Sequence, residues 1–132
     1  MKMVPDLVTN FIAAYNAHDP DAIGRLIAPG GIQEDVPLDR VNTTAAEIIA
    51  GLSPFFHAVP DAHWREDSRI QSGKSVVVIY TLTGHLRHDL GAFKARGQPI
   101  SLPGIFVLKC AGDDLVAAQD FWDPKTFGDQ VA

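Results

Sequence analysis

Asp120 lies in the run Leu115-Val-Ala-Ala-Gln-Asp-Phe-Trp-Asp123, an acid among apolar neighbours, and is the first candidate for chemistry. Side chains alternate across a strand, so Val116, Ala118, Asp120 and Trp122 would share one face, with Leu115, Ala117, Gln119, Phe121 and Asp123 on the other. A carboxyl on a face that lines a cavity is poorly solvated; its pKa rises and it can give or take a proton near neutral pH. The same run also fits an acid at the end of a strand, wetted by solvent or bonded by backbone N–H groups. Asp35, in Gln33-Glu-Asp-Val36, offers a second carboxyl. Two acids in unequal surroundings hold different protonation states, which suits enolate chemistry. A solvated loop before Pro37 is the alternative reading of Asp35.

His85 and His88 flank a segment that would sit near a pocket rim, where imidazole can polarise a carbonyl or relay a proton; surface histidines at a strand end have the same pattern. Tetrahedral zinc needs further ligands that no neighbouring Cys or His supplies, so no metal site is expected. No phosphate-binding glycine loop, serine nucleophile elbow or Cys–His pair stands out. Trp64 alternates with His63, Arg65, Asp67 and Arg69, so its ring would face inward. Trp122 shares a face with Asp120 and would exclude water beside it while giving an aromatic ligand a stacking surface. Tyr15 and Tyr80 carry hydroxyls that could enter a cavity, within stripes that equally make them core.

The elements that must position these groups fall into two blocks. Val4, Leu7, Val8, Phe11, Ile12 and Tyr15 recur at helical spacing. Asp19-Pro20 then starts a second helix, with Asp19 as N-cap and Pro20 at the first helical position. Ile23, Leu26 and Ile27 would be its buried side, and Pro29-Gly30-Gly31 its stop. Ile32–Val36 reads as a short extended piece. Thr44-Ala-Ala-Glu47 is a capping box opening a third helix, in which Pro54 predicts a kink or break. Strands are expected over residues 62–71, 74–86, 100–110 and 115–122, with hairpin turns at Gly73 and 111–114 and a connecting loop over 88–98. Helices first and strands afterwards mean α+β, with helices on one face of a curved, mostly antiparallel sheet.

A chain of 132 residues, 46% hydrophobic, is long enough for one packed domain over its whole length. A net charge of −5 with scattered basic residues excludes a phosphate-binding face, so no nucleic acid is expected as partner. The single cysteine, Cys110, sits in an apolar run and suits a reducing cytoplasm. No leader or membrane-spanning run is visible, which points to a cytoplasmic location without membrane partners. Leu115, Ala117 and Phe121 on the far face of the last strand suggest a covered surface, hence a homodimer.

Five segments carry a family resemblance. They are Phe11-Ile-Ala-Ala-Tyr-Asn-Ala-His-Asp19, Leu26-Ile-Ala-Pro29, Val59-Pro-Asp61, Tyr80-Thr-Leu-Thr-Gly84 and Gln119-Asp-Phe-Trp-Asp123. In order and spacing the chain resembles the NTF2-like superfamily, and within it the SnoaL-like polyketide cyclase branch. The resemblance implies an α+β cone whose curved sheet and helices enclose an apolar pocket for one small molecule. It also implies that Asp120, matching the aspartate of that branch's last strand, is acid and base in a cofactor-free ring closure. Gln33 stands at the position of an asparagine and would hydrogen-bond a substrate oxygen. Phe106 stands where the branch has a histidine, so the wall there is apolar. The chain is also similar to ketosteroid isomerase, whose general base matches Asp35. Its oxyanion tyrosine matches Phe11, and its protonated aspartate matches the apolar segment Gly104–Phe106. Two functions are thereby expected as alternatives: acid/base catalysis on a small apolar carbonyl compound, or a non-catalytic ligand-binding or dimerisation module. Catalytic candidates are Asp120, Asp35 and His85; ligand-binding candidates are Gln33, Trp64, Phe106, Trp122, Tyr15 and His88.

Overall fold

The computed structural model describes residues 2–132. In chain order it contains α1 (Val4–Asn16), α2 (Pro20–Leu26), β1 (Ile27–Asp35), β2 (Arg40–Asn42) and α3 (Ala45–Ala58). These are followed by β3 (His63–Ser72), β4 (Ser75–His85), β5 (Pro99–Ala111), β6 (Asp114–Trp122) and α4 (Pro124–Val131). The six strands form one sheet in the order β2-β1-β6-β5-β4-β3. β1 and β6 run parallel and all other neighbours antiparallel, so the sheet is mixed but mostly antiparallel.

α1 buries Leu7, Val8, Phe11, Ile12, Ala14 and Tyr15, the stripe set by its 3.6-residue period. Each fully buried side chain of that size contributes roughly 1.5–3 kcal/mol by leaving water. Just beyond the helix, His18 takes a left-handed conformation (φ 53°) and bonds the Ala62 carbonyl through Nε2 at 2.7 Å. Asn16 then brackets the backbone of edge strand β3: its Oδ1 accepts from Trp64 N at 2.8 Å, and its Nδ2 donates to Trp64 O at 3.1 Å. Those two bonds fix where the Trp64 ring enters the interior.

Asp19 caps α2 by accepting from Ala22 N at 3.1 Å. The chain turns extended at once after Leu26, so Ile27 belongs to β1 rather than to the buried side of the helix. Pro29-Gly30-Gly31 lies within that strand, at an irregularity of its pairing with β6. Thr44 Oγ1 accepts from Glu47 N at 3.1 Å, and Glu47 reaches back to Thr43 N at 2.8 Å. α3 runs through Pro54 without a break, losing only the one backbone bond that proline cannot donate. β2 and α4 were not foreseen. Asp123 caps α4 by accepting from Lys125 N at 3.0 Å, with Pro124 at its first position.

The alternation expected for the last strand is corrected at its start. Cys110 pairs with Leu115 and Lys109 with Ala117, so Val116 is an extra, bulged residue. Leu115 is therefore fully buried and Val116 is 37% exposed, opposite to the simple pattern. Beyond the bulge Ala118, Asp120 and Trp122 share the inner face as expected. The outer face leaves Ile70, Ile105, Val116 and Phe121 exposed. No helix among the described residues is long and apolar enough to cross a membrane.

Candidate functional site

Between the inner face of the sheet and the helices lies a cavity of about 450 Å³. The sheet contributes Asp35, Trp64, Tyr80, Leu82, Leu102, Asp120 and Trp122; α1 contributes Tyr15; α3 contributes Gly51, Leu52, Pro54, Phe55 and Phe56. Leu38, the turn Leu90–Phe93, Pro124 and Phe127 complete the wall. Mostly apolar walls with a few convergent polar groups are the usual make-up of a small-molecule site.

Asp35 and Asp120 sit in register on the parallel strands β1 and β6, so their side chains emerge side by side. Burial pushes the Asp120 carboxyl up to about 7; Tyr80's hydrogen bond opposes the rise and the nearby Asp35 adds to it. No arginine, lysine or histidine ion pair is found for Asp120 among the described residues. The Tyr80 hydroxyl donates to Asp120 Oδ1 at 2.7 Å. That reach crosses a whole strand, from β4 over β5 to β6, at the point where Tyr80 pairs with Gly104. A Cβ at position 104 would overlap the Tyr80 phenol, so the missing side chain is what lets the ring lie there. Burial, followed by the charge and hydrogen bond of Asp120, raises the Tyr80 pKa and keeps it a proton donor.

Asp35 is also raised, chiefly by burial. The Trp122 indole, the Leu38 N–H and the charge of Arg40 all counteract the rise. Trp122 Nε1 donates to Asp35 Oδ1 at 3.0 Å, so this tryptophan orients the second acid as well as walling the cavity. Tyr15 lines the cavity, and burial lifts its hydroxyl well above the ordinary tyrosine range. A buried chain stands behind it. Asn42 Nδ2 donates to Gln33 Oε1 at 2.6 Å, and Gln33 Nε2 donates to the Tyr15 hydroxyl at 3.4 Å.

The structure therefore unites Asp120, Asp35, Tyr15, Trp64 and Trp122 in one cavity. Gln33 is only 2% exposed and lies behind Tyr15 rather than on the wall. Phe106 is likewise absent from the wall: its ring packs among Phe11, Tyr15 and Tyr80 at centroid distances of 5.2, 5.0 and 4.7 Å. The expected rim histidines are displaced too. His85 Nδ1 pairs with Asp61 at 2.6 Å on a half-exposed surface, and His88 stacks on His57 at 4.3 Å. Both lie outside the wall because the strand carries His85 past the cavity before the loop turns back. The Trp64 indole N–H is buried among the rings of Tyr15, Phe56 and His18 and has no hydrogen-bond partner among the described residues. Tyr80, Leu38, Phe93 and Phe127 are wall residues that lie outside the candidate set; for Tyr80 the signal was a hydroxyl on an inward strand position opposite a glycine. Among the described residues no group of three or more His, Cys, Asp or Glu side chains comes together as a metal-binding cluster.

A sheet closed by helices over two partly buried acids has the ketosteroid isomerase-like fold. The chain belongs to the SnoaL-like domain family, whose model matches residues 8–118. A candidate polyketide cyclase from Xanthomonas campestris pv. campestris superposes with a TM-score of 0.86 at 20% identity, over 98% of this chain and 96% of that one. IdmH of Streptomyces antibioticus, also a candidate polyketide cyclase, gives 0.83 at 14% identity over 98% of each chain. A hypothetical protein of ketosteroid isomerase-like fold from Catenulispora acidiphila, in complex with trimethylamine, gives 0.81 at 21% identity over 98% and 94%. No significant match was found among curated proteins. At these identities the structural likeness establishes the fold.

Proposed function

We propose that the protein is a cofactor-free acid/base enzyme acting on a small apolar carbonyl compound, in an aldol-type ring closure or an isomerisation. One observation carries this reading: Asp120 opens into a roomy cavity with its carboxyl pKa pushed up to about 7, bonded to a tyrosine and, among the described residues, to no cation. Such an acid is part ionised at pH 7 and serves in both directions. The ionised carboxylate takes a proton from the carbon beside the carbonyl, and the electron pair moves onto the carbonyl oxygen. In an isomerisation the protonated carboxyl returns the proton to another carbon of the conjugated enolate as the carbonyl re-forms; in a ring closure the enolate carbon attacks a second carbonyl of the same molecule, the first carbonyl re-forms, and the carboxyl protonates the alkoxide left on the second. Tyr80 stabilises the carboxylate before the first step and after the second. The Tyr15 hydroxyl accepts from Gln33, which leaves its own hydrogen for the developing oxyanion, a contact that can carry much of the rate. Asp35 remains the second acid, and Trp64 and Trp122 flank the ligand.

The test is hydrogen–deuterium exchange of a panel of neutral cyclic ketones and 1,3-dicarbonyl compounds in D2O, followed by NMR. The expected result is catalysed exchange of α-protons that falls at least about a hundredfold in Asp120→Asn. Exchange that survives this substitution unchanged overturns the reading.

A second reading, a small-molecule-binding module without catalysis, is favoured by Phe106. It pairs with Asp120 across the strands and puts an apolar ring where a polar partner would assist a proton transfer. In either case the exposed apolar patch of Ile105, Val116 and Phe121 supports a homodimer built on the outer sheet face.

A further inference from the structure

We propose that the cavity is a site for an organic ammonium ion with an apolar body, whose cationic head sits against Asp35 and Asp120 while aromatic rings enclose the rest. The argument is one of charge and wall chemistry. Among the described residues every ionisable carboxyl on the wall is an acid of the paired strands β1 and β6, and no lysine, arginine or histidine is on the wall. Around Asp120 the other titratable groups are Asp35 from β1, Tyr80 from β4 and Tyr15 from α1; the wall residues from α3, β5, α4 and the Leu90–Phe93 turn bring none. Arg40, the cation that acts on Asp35, lies off the wall and bonds Asn42 Oδ1 at 3.2 Å.

An anion entering this space would meet two acids and no counter-charge. A metal ion would find too few oxygens to replace its hydration shell. An ammonium group is suited on both counts, because the faces of Trp64, Trp122, Tyr15 and Tyr80 attract a cation and need no coordination geometry. Binding of the cation favours ionised Asp120 and releases its proton to solvent. The inference needs only that the cavity takes a ligand, which both functional readings share, and its test does not depend on turnover.

The two tryptophans of the chain both line the cavity, so intrinsic fluorescence reports on its occupancy. Phenyltrimethylammonium would be titrated beside its neutral isostere tert-butylbenzene and the anion benzenesulfonate. At pH 8 the cation is expected to bind about tenfold more tightly than the neutral isostere, with the anion weakest. Because the ionised carboxylate is the competent form, cation affinity should fall about tenfold from pH 8 to pH 6 while that of tert-butylbenzene stays flat. In Asp120→Asn, with folding checked by circular dichroism, both the cation's advantage and its pH step should shrink. Equal binding of the isosteres at pH 8, a cation affinity that is level in pH, unchanged selectivity in the variant, or no binding of any probe would each overturn the proposal. Loss of carbonyl exchange alongside retained cation selectivity would instead count only against the enzymatic reading.

Discussion

Replacing Asp120 by asparagine is expected to stabilise the protein at alkaline pH. The native carboxyl holds its proton to about pH 7, whereas in the unfolded chain it ionises near 3.8. Between those values the folded state carries more protons, so stability falls as pH rises through the window and levels off above it. The difference in pKa amounts to roughly 4 kcal/mol at about 1.36 kcal/mol per unit, of which about 3 kcal/mol is lost between pH 4.5 and 8. Asparagine has nearly the same shape, and its Oδ1 can still accept the Tyr80 hydroxyl, so the variant keeps the hydrogen bond and sheds the ionisation. Urea unfolding of both proteins at pH 4.5, 6, 7 and 8 measures the effect, and the difference between the two curves removes the other titrating groups. The variant should match the wild type within about 1 kcal/mol at the acid end and exceed it by roughly 2–3 kcal/mol at pH 8. Parallel curves across the range would refute the picture of a desolvated acid.

Four further outcomes can be checked. In Tyr80→Phe the Asp120 carboxyl loses the bond that lowers its pKa, so its carboxyl carbon signal in NMR should titrate at higher pH than in the wild type; a lower midpoint would contradict the assignment. Gly104→Ala pushes the phenol off β5 and should cost about 1–3 kcal/mol in urea unfolding, with the same upward move of Asp120. Asn16→Ala removes both bonds to the Trp64 backbone and should cost roughly 2 kcal/mol; less than about 0.5 kcal/mol would mean that β3 holds Trp64 without it. If the outer face is an interface, sedimentation will find a dimer in the wild type and a monomer in Phe121→Lys; identical mass in both would exclude that surface.

What could be read in advance divides along physical lines. The stripe on α1, the caps Asp19 and Thr44, and the alternation of β4 and β5 are local rules, and the structure follows them; β3 departs from its alternation at a bulge at Asp67, beyond which Arg69 shares the face of Trp64 and bonds α1. The start of β6 went against its alternation because a bulge is decided by the partner strand: nothing in Leu115-Val-Ala distinguishes a bulged valine from a paired one. α4 was legible, since Asp123-Pro124 repeats the Asp19-Pro20 start signal. Asp120 and Trp122 could be placed on one face from their spacing alone. That Gln33 stands behind Tyr15, and that Tyr80 reaches over Gly104 to the acid, depends on contacts across strands, which no local pattern encodes. The histidines were misplaced because proximity in the chain to a rim loop is no measure of direction.

The acids and hydroxyls of the cavity come from α1, β1, β4 and β6, whereas part of its contour is set by Leu38 and the Leu90–Phe93 segment, which lie on connections between strands. Proton chemistry and outline are thus inherited from different parts of the chain. Connecting segments tolerate insertion and exchange far better than paired strands do. A lineage built on this plan can lengthen or replace those two connections, and so change which molecules enter, while the setting of Asp120 passes on intact. Diversification by reshaping part of the wall rather than the acid setting is open to such a domain, and grafting alternative loops onto this sheet is the corresponding route for an experimenter.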